Sequence, residues 1–321
     1  MENNTSQPGL TVLVPCYRDA SGLRELHARL TTVCGGLSLP YEILLVDDGS
    51  PDATWAVICA LAANDRHVKG LKLSRNHGHQ LAVTAGLARA LGARVLIIDS
   101  DLQDPPELLP EMMRLMDEGA DNVYGQRLSR KGVPVWKKAC YHLYYRILSS
   151  LAGCTIPPDT GDFRLISRRV VDLVNQMPEH HRFLRGMISW LGFKQVALQY
   201  HRDARFSGES GYTIVKLFRI AVDGITSFSI QPLRLATMLG FCFAVLCLLG
   251  MAKTIFDHFM YGTVVAGWAS LISLIMLVAS LQFFVLGMIG EYIGRIFIEQ
   301  KHRPLFIIEE TTQAGAERKL Q

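Results

Sequence analysis

The sequence lacks several motifs that mark common classes of protein. Its seven cysteines include no Cys-x-x-Cys pair, so we expect free thiols in a reducing compartment and no zinc site. A dinucleotide-dependent oxidoreductase would need Gly-x-Gly-x-x-Gly after its first strand, and residues Pro15–Arg18 read Pro-Cys-Tyr-Arg at that place. The net charge of +4 is mild and no dense basic stripe is present, so we expect no nucleic-acid partner.

Charge is almost absent from two long apolar segments in the last third of the chain. Leu235–Phe256 holds Lys253 as its only charged residue, and Trp268–Gly290 holds none. Each segment has the roughly 20 residues needed to cross a bilayer. Two such runs favour a pair of membrane spans over a pair of buried core helices.

Lys and Arg are also absent from the connector between these segments, Asp257–Gly267. They occur before the first segment and after the second, at Lys216, Arg219, Arg234, Arg295, Lys301 and Arg303. Positive-inside bias therefore predicts a multi-pass protein of the cell inner (plasma) membrane, with both termini and the soluble domain in the cytoplasm. The first residues, Met1–Leu10, are polar, so we expect no cleaved export signal.

Residues 10–127 alternate between short apolar runs and segments of helical periodicity. This alternation predicts an α/β fold with a doubly wound, mostly parallel sheet. The predicted strands are Leu10–Pro15, Tyr41–Val46, Val68–Leu73, Arg94–Ile98 and Asp121–Gly125. The predicted helices are Gly22–Cys34, Asp52–Ala63, Gln80–Leu91 and Glu107–Glu118.

We divide the chain into four parts on this basis. Residues 1–212 form the cytoplasmic α/β domain, although residues 128–212 are less regular. Residues 213–233 form an amphipathic helix that either lies in the membrane interface or packs as an ordinary core helix. Residues 234–295 form a two-helix transmembrane hairpin, and residues 296–321 form a cytoplasmic tail that we expect to be frayed from Glu309.

Acidic residues follow two of the predicted strands. Asp99–Pro106 reads Asp-Ser-Asp-Leu-Gln-Asp-Pro-Pro directly after a strand, and Asp47–Ser50 reads Asp-Asp-Gly-Ser after an earlier one. Alternate residues of a strand share a face, so an Asp-x-Asp places two hard oxygen ligands together, which suits Mg²⁺ or Mn²⁺. Taken alone, Asp47–Ser50 reads as a plain turn. Because ligands of such sheets bind at the carboxyl ends of the strands, the two segments together predict one site for a nucleotide diphosphate and its metal.

These segments resemble the motifs of family-2 glycosyltransferases with the GT-A fold, a Rossmann-like arrangement. More narrowly, the chain resembles the polyisoprenyl-phosphate glycosyltransferases, the group of dolichol-phosphate mannose synthase, GtrB-type glucosyltransferases and the aminoarabinose transferase ArnC. The resemblance covers nearly the whole chain, and its matching segments are Val14–Asp19, Val46–Asp52, Ser74–Gln80, Asp99–Pro106, Gly125–Arg127, Gly161–Arg164, Arg205–Ser210 and Gly287–Arg295.

The resemblance implies a role for individual residues. Around the nucleotide sugar it places Pro15, Tyr17, Asp19, Asp48, Asp99, Ser100, Gln103, Arg205 and Ser210. Around the metal it places Asp99, Asp101 and Gln103. It puts Arg127 near the acceptor phosphate and Asp162 near the sugar, so the predicted catalytic residues are Asp101, Asp162 and Arg127. Relatives often carry a Lys where this chain has Gly211, which removes one candidate phosphate contact.

The acceptor site needs cations, and the available ones are Arg127, Lys137, Lys138 and Arg202. Lys137 and Lys138 also fit a solvated face or a headgroup contact. Asp162 is open to two roles, steering a sugar hydroxyl or acting as a base. We assign no metal role to His77 and His79, because no carboxylate lies at ligand spacing from them.

The sequence thus predicts an inverting glycosyltransferase of the membrane. The resemblance to the GtrB type implies transfer of glucose from UDP-glucose to a polyprenyl (undecaprenyl-type) phosphate. It also implies a homo-oligomer, which we expect to be a tetramer. The alternatives are another donor, GDP-mannose or a UDP-amino sugar, and a polysaccharide synthase. A synthase would need several spans and a Gln-x-x-Arg-Trp motif, and the sequence has no such motif. A non-catalytic, membrane-anchored binding protein is a further alternative that the complete set of acidic residues disfavours.

Overall fold

The structure is a computed structural model that describes residues 8–127, 160–180, 182–200, 231–261 and 267–312. These residues fall into two compact units. The first holds the described residues up to 200 together with 303–312, and the second holds those between 231 and 302.

The first unit is built around an eight-stranded mixed sheet in the described residues. Its strands are β1 (Leu10–Cys16), β2 (Tyr41–Asp47), β3 (Val68–Leu73), β4 (Arg94–Ile97), β5 (Asn122–Arg127), β6 (Thr160–Ser167), β7 (Gln195–Tyr200) and β8 (Ile308–Thr311). The α-helices of this unit are α1 (Leu23–Gly35), α2 (Thr54–Asn64), α3 (His79–Arg89), α4 (Leu109–Asp117), α5 (Arg168–Gln176) and α6 (Leu184–Trp190), and a 3₁₀ turn, Pro106–Leu108, precedes α4. Every strand and helix predicted between residues 10 and 127 is present within a few residues of its predicted bounds.

The strand order is β7-β5-β6-β4-β1-β2-β3-β8. The strands β3, β2, β1 and β4 are neighbours and parallel, which confirms the predicted parallel sheet for this half. The other half, β7-β5-β6, differs because β6 lies between β4 and β5 and runs antiparallel to both, although β5 and β7 are parallel. We call it the antiparallel half after β6. The start of β6 therefore lies at the same edge of the sheet as the carboxyl end of β4, with Arg164 opposite Ile97.

Apolar side chains alternate across the parallel strands and bury both faces of the sheet. Val12, Val14 and Leu45 belong to the core that includes residues of α1, α2 and α4. Leu13 points to the other face, where a Cβ on Gly86 of α3 would come within 2.0 Å of the Leu13 side chain. Because both of their faces are buried, β1, β2 and β4 are mainly apolar, as parallel strands usually are.

Two expectations for the polar parts of the chain need correction. The tail is not frayed over its whole length from Glu309, because β8 pairs antiparallel with β3 at the edge of the sheet. The irregular region 128–212 contains β6, α5, α6 and β7 within its described residues. The predicted amphipathic helix at 213–233 lies outside the described residues up to residue 230.

The second unit consists of two long helices in its described part, α7 (Gln231–Tyr261) and α8 (Trp268–Gln300). They cover the two apolar segments of the sequence. Among the side chains that the structure describes, one helical segment, Leu274–Gln300, is long and apolar enough to cross a membrane, and none of its most apolar window is buried. The pair of spans expected from the sequence therefore stays a prediction.

Candidate active site

A cleft of about 350 Å³ opens at the carboxyl edge of the parallel half of the sheet. Loops that follow β1, β2 and β4 and the loop before α3 form its walls. The lining residues are Pro15, Cys16, Tyr17, Asp19, Asp48, Asn76, Gly78, His79, Ala82, Asp99, Ser100 and Asp101. The structure thus brings together seven of the residues predicted from the sequence, as expected for a site at the carboxyl ends of parallel strands.

Asp19 joins two of these loops. Its Oδ2 accepts hydrogen bonds from the backbone N–H of Tyr17 at 2.9 Å and from the Ser100 hydroxyl at 2.6 Å. Both loops also carry a non-glycine residue with a positive φ, Arg18 at 59° and Leu102 at 61°. Such conformations cost energy and persist where the surroundings fix them, so the two loops are held in one defined arrangement beside the cleft.

Asp48 anchors the loop between β3 and α3, residues 74–78. Its carboxylate accepts hydrogen bonds from the backbone N–H groups of His77 at 2.7 Å and Gly78 at 2.9 Å. The neighbouring Gly49 has φ +63°, and a Cβ there would lie 2.4 Å from the carbonyl carbon of Arg75. The Asp-Gly turn and the 74–78 loop therefore fit together only with glycine at this position.

Asp99 carries a buried carboxylate oxygen that has no hydrogen-bond partner, Oδ1. Burial raises the pKa of Asp99 to about 6, although nearby His79 opposes this shift. The His79 Nε2 lies 3.7 Å from Oδ1, which is beyond hydrogen-bond distance. A buried carboxylate oxygen in this state favours the approach of a cation.

The side chains at the cleft fit a hard divalent ion. Asp99 and Asp101 both line the cleft and offer carboxylate oxygens, the ligands that Mg²⁺ and Mn²⁺ prefer. In the described residues no group of three or more His, Cys, Asp or Glu side chains forms a metal cage. Mg²⁺ commonly takes one or two carboxylates and completes its shell with phosphate oxygens and water, so two aspartates are compatible with it.

Gln103 is buried and is not among the residues that line the cleft. Its backbone N–H donates to Asp101 Oδ1 at 3.1 Å, which helps to orient that carboxylate. The direct metal contact expected of Gln103 stays a prediction.

A second acidic group lies at the start of β6, beside the cleft. The Asp162 carboxylate accepts hydrogen bonds from Arg185 Nε at 2.7 Å, His79 Nε2 at 2.9 Å and Gln80 Nε2 at 3.1 Å. The Gln80 Oε1 in turn accepts from the backbone N–H of Leu184 at 3.0 Å. The cluster therefore ties the first turns of α3 and α6 to β6.

The charges in this cluster set each other's protonation. Burial acts to raise the pKa of Asp162, but the Arg185 charge and the His79 hydrogen bond hold it well below its usual range. Burial acts to lower the pKa of His79, and the hydrogen bond with Asp162 outweighs it, so the His79 pKa is raised. A carboxylate held this firmly in the ionised state is suited to orient a partner and is a weak base.

Sequence reasoning missed His79 and Arg185 as members of the site. A signal for His79 existed, because it is adjacent to a predicted helix start at the carboxyl edge of the sheet. No local pattern marks Arg185, which enters the site only through the placement of α6. The buried Tyr200 hydroxyl, which donates to Asp104, was also not anticipated.

The predicted acceptor residues are described only in part. Arg127 is the last residue of β5, opposite Tyr200 of β7. Its side chain lies outside what the structure describes, as do Lys137, Lys138, Arg202, Arg205 and Ser210.

The fold and the cleft together define an α/β protein of the GT-A-like class, with carboxylates at the edge of a mostly parallel sheet. Residues 11–174 match glycosyl transferase family 2, and residues 231–296 match the GtrB C-terminal hairpin. The chain belongs to glycosyl transferase family 2 and is a glycosyltransferase.

Similar proteins extend over almost the whole chain. The "Uncharacterized glycosyltransferase YkcC" of Bacillus subtilis is 40% identical over 94% of this chain and 93% of its own length. The "Bactoprenol glucosyl transferase" of Shigella phage SfV is 40% identical over 95% of this chain and 99% of its own. The "Prophage bactoprenol glucosyl transferase homolog" of Escherichia coli K12 is 35% identical over 94% and 98%.

Proposed function

We propose that this protein transfers glucose from UDP-glucose to a polyprenyl phosphate at the cytoplasmic face of the membrane, with inversion at the anomeric carbon. The observation that carries the proposal is the acidic cleft at the carboxyl edge of the sheet, with Asp99 and Asp101 on one wall. The names of two relatives, each a bactoprenol glucosyl transferase or its homologue, support the sugar and the lipid.

The donor diphosphate is assigned to the wall formed by Asp99, Ser100 and Asp101. A divalent ion bound by the two aspartates would offset the negative charge that builds on the leaving nucleotide. Tyr17, which is 40% exposed beside the cleft, is assigned to the nucleotide base or ribose. Asp162, fixed by Arg185 and His79, is assigned to a hydroxyl of the sugar.

The acceptor phosphate needs little activation. A phosphate monoester has a second pKa near about 6, so it is largely dianionic at neutral pH and attacks without a strong base. The protein then has to hold the phosphate in line with the bond that breaks. We assign this task to Arg127, with Lys137, Lys138 and Arg202 as further cations, because a guanidinium grips phosphate through two parallel hydrogen bonds.

The membrane part of the proposal rests on α7 and α8. Large apolar side chains on both helices are exposed, among them Phe241 at 71% and Phe283 at 74%. We propose that the two helices cross the membrane as a hairpin, that residues 1–212 and 296–321 face the cytoplasm, and that the protein assembles as a tetramer. A fluorescent-protein fusion after Gln321 should report a cytoplasmic end, and a native mass measurement in detergent tests the assembly.

The decisive experiment identifies donor and acceptor together. Membranes that contain the protein are incubated with polyprenyl phosphate and, in parallel, radiolabelled UDP-glucose, GDP-mannose and a UDP-amino sugar, after which lipid is extracted. The proposal expects label in the lipid fraction with UDP-glucose, and none in membranes carrying Asp101→Ala. Label in the lipid fraction from another donor would show that the transferred sugar is not glucose. Label in a water-soluble polymer would indicate a polysaccharide synthase.

A further inference from the structure

The segment that follows α8 in the chain belongs to the catalytic unit. We call residues 303–312 the C-terminal strap. Its strand β8 pairs with β3 through Leu71 opposite Thr311 and Lys72 opposite Glu310. Beyond β8, the Gly70 N–H donates to Thr312 Oγ1 at 2.8 Å, and the Thr312 N–H donates to the Gly70 carbonyl at 3.1 Å. The strap therefore covers what would otherwise be an open edge of the sheet.

One side chain of the strap contacts two elements of the sheet unit. The Glu310 carboxylate accepts a hydrogen bond from Trp55 Nε1 of α2 at 3.1 Å and pairs with Lys72 Nζ of β3 at 2.7 Å. Glu309 adds a second ion pair with Lys72 at 3.1 Å. These contacts are exposed, so they orient the strap more than they stabilise the fold.

The strap also holds the beginning of the 74–78 loop. The Ser74 N–H donates to the carbonyl of Ile307 at 3.0 Å, immediately before the loop. The end of the same loop is held by Asp48, and Asn76 and Gly78 between these anchors line the cleft. The loop is thus fixed from one side by β2 and from the other by the strap.

A second contact reaches the loop in front of α6. The His180 Nε2 lies 2.8 Å from the carbonyl oxygen of Arg303, at the start of the strap. This loop leads directly into α6, which carries Arg185. The strap therefore contacts both chain segments that deliver His79 and Arg185 to Asp162.

We propose that the C-terminal strap positions the 74–78 loop for binding of the nucleotide donor, with Ile307 and Glu310 as positioning residues. The physical reason is that a strand with an unpaired edge opens locally, and the residues at its end lose order first. Donor binding then depends on chain that follows the membrane hairpin. The identity of the donor in this inference rests on the proposed function. The positioning of the 74–78 loop by the strap rests only on the contacts described above.

The test uses the full chain in detergent with UDP and Mg²⁺ as the probe. Glu310→Pro removes the side-chain contacts with Trp55 and Lys72 and one backbone donor of β8. Glu310→Lys reverses the charge opposite Lys72 and leaves the backbone intact. We expect Glu310→Lys to weaken UDP binding by about three- to tenfold and Glu310→Pro to weaken it more, with kcat at saturating donor almost unchanged.

A charge swap separates positioning from general damage. Lys72→Glu combined with Glu310→Lys restores opposite charges between positions 72 and 310, so UDP affinity should recover in part. Recovery is incomplete because Glu309 then faces a second carboxylate and Trp55 Nε1 loses its acceptor. The matched control is Glu111→Lys, which reverses an exposed partner of Arg114 on α4, 2.7 Å away and outside the site. It should leave UDP binding unchanged.

Amide hydrogen exchange tests the positioning of the 74–78 loop without any bound nucleotide. Amides of residues 74–78 should exchange faster in Glu310→Lys and Glu310→Pro than in the wild type and Glu111→Lys. Unchanged exchange in both variants would overturn the inference, whether or not UDP binds. If the wild type binds no UDP but the loop exchanges faster in the variants, the strap stands and the proposed donor is wrong. Should Glu310→Pro fail to fold, Glu310→Lys and its charge swap decide the question alone.

Discussion

The two halves of the sheet bring carboxylates to the same edge by opposite routes. In the parallel half, Asp48 and Asp99 follow the ends of β2 and β4. In the antiparallel half, Asp162 lies near the start of β6, because β6 runs against β4. The carboxylates also differ in their contacts, since Asp99 keeps a buried oxygen without a hydrogen bond, whereas Asp162 accepts hydrogen bonds from Arg185, His79 and Gln80.

This difference suggests a division of work between the halves. A carboxylate oxygen without a hydrogen bond is available to a cation that arrives with the donor, whereas a fully hydrogen-bonded carboxylate keeps one orientation throughout the reaction. We therefore assign binding of the metal and the diphosphate, which arrive and leave with the donor, to the parallel half. The antiparallel half supplies a permanently bound carboxylate, Asp162, beside the sugar.

The largest effect is expected for Asp101→Ala in the parallel half. Loss of a metal ligand at the position where charge develops should lower transfer by about 1,000-fold or more. The measurement is transfer of labelled glucose to polyprenyl phosphate at fixed Mg²⁺, with Asp172→Ala on the exposed side of α5 as the control. Near-normal turnover of the wild type in a strong chelator would contradict the metal assignment.

In the antiparallel half, Arg185→Ala should lower kcat by about 100-fold, because Asp162 loses the one partner in the described residues that donates to both of its oxygens. Arg185→Lys should recover part of the rate, since an ammonium keeps the charge but not the planar geometry. The control is Arg169→Ala, which removes an exposed arginine paired with Asp121 at 2.7 Å. If Arg185→Ala raises only the KM for the donor, Asp162 binds the ground state and does not act in the chemical step.

The same comparison shows what the sequence could and could not predict. The parallel half follows from local signals, since β1, β2 and β4 are mainly apolar and Asp48 and Asp99 follow within two residues of a strand end. The antiparallel half does not, because Asp162 precedes its apolar run and Arg185 reaches it from a separate short helix. Strand β8 of the strap also has no local signal. Its four residues are of mixed polarity, so they predict a strand only once the open edge of β3 is known.

A smaller effect is expected for Arg127→Ala, at the end of β5. Losing a charge-assisted contact to phosphate costs about 1.5 kcal/mol or more, so the KM for polyprenyl phosphate should rise by about tenfold or more. The Kd for UDP should stay the same, and Arg127→Lys should recover part of the loss. If the UDP Kd rises while the lipid KM does not, Arg127 belongs to the donor wall and the acceptor lies elsewhere.

The last expected effect is on stability and not on the rate of transfer, and it concerns Asp99. Its pKa of about 6 is above the ordinary value of 3.8, so the folded state binds the proton more tightly than the unfolded state. The contribution of this group to stability is therefore fully present below about pH 3.8 and is lost as the pH rises through about 6. At pH 7.5 the metal-free protein carries a half-buried charge that Asp99→Asn removes.

We therefore expect Asp99→Asn to stabilise the metal-free protein at pH 7.5 by about 1–3 kcal/mol, and by less at pH 5. The measurement is the thermal unfolding midpoint in chelator, with Asp172→Asn as the control for loss of one exposed carboxylate. Addition of Mg²⁺ and UDP should then raise the midpoint of the wild type and not that of Asp99→Asn, because only the wild type keeps both proposed ligands. A variant that is less stable than the wild type in chelator at pH 7.5 would mean that Asp99 is already compensated within the protein, and the contrast with Asp162 would fail.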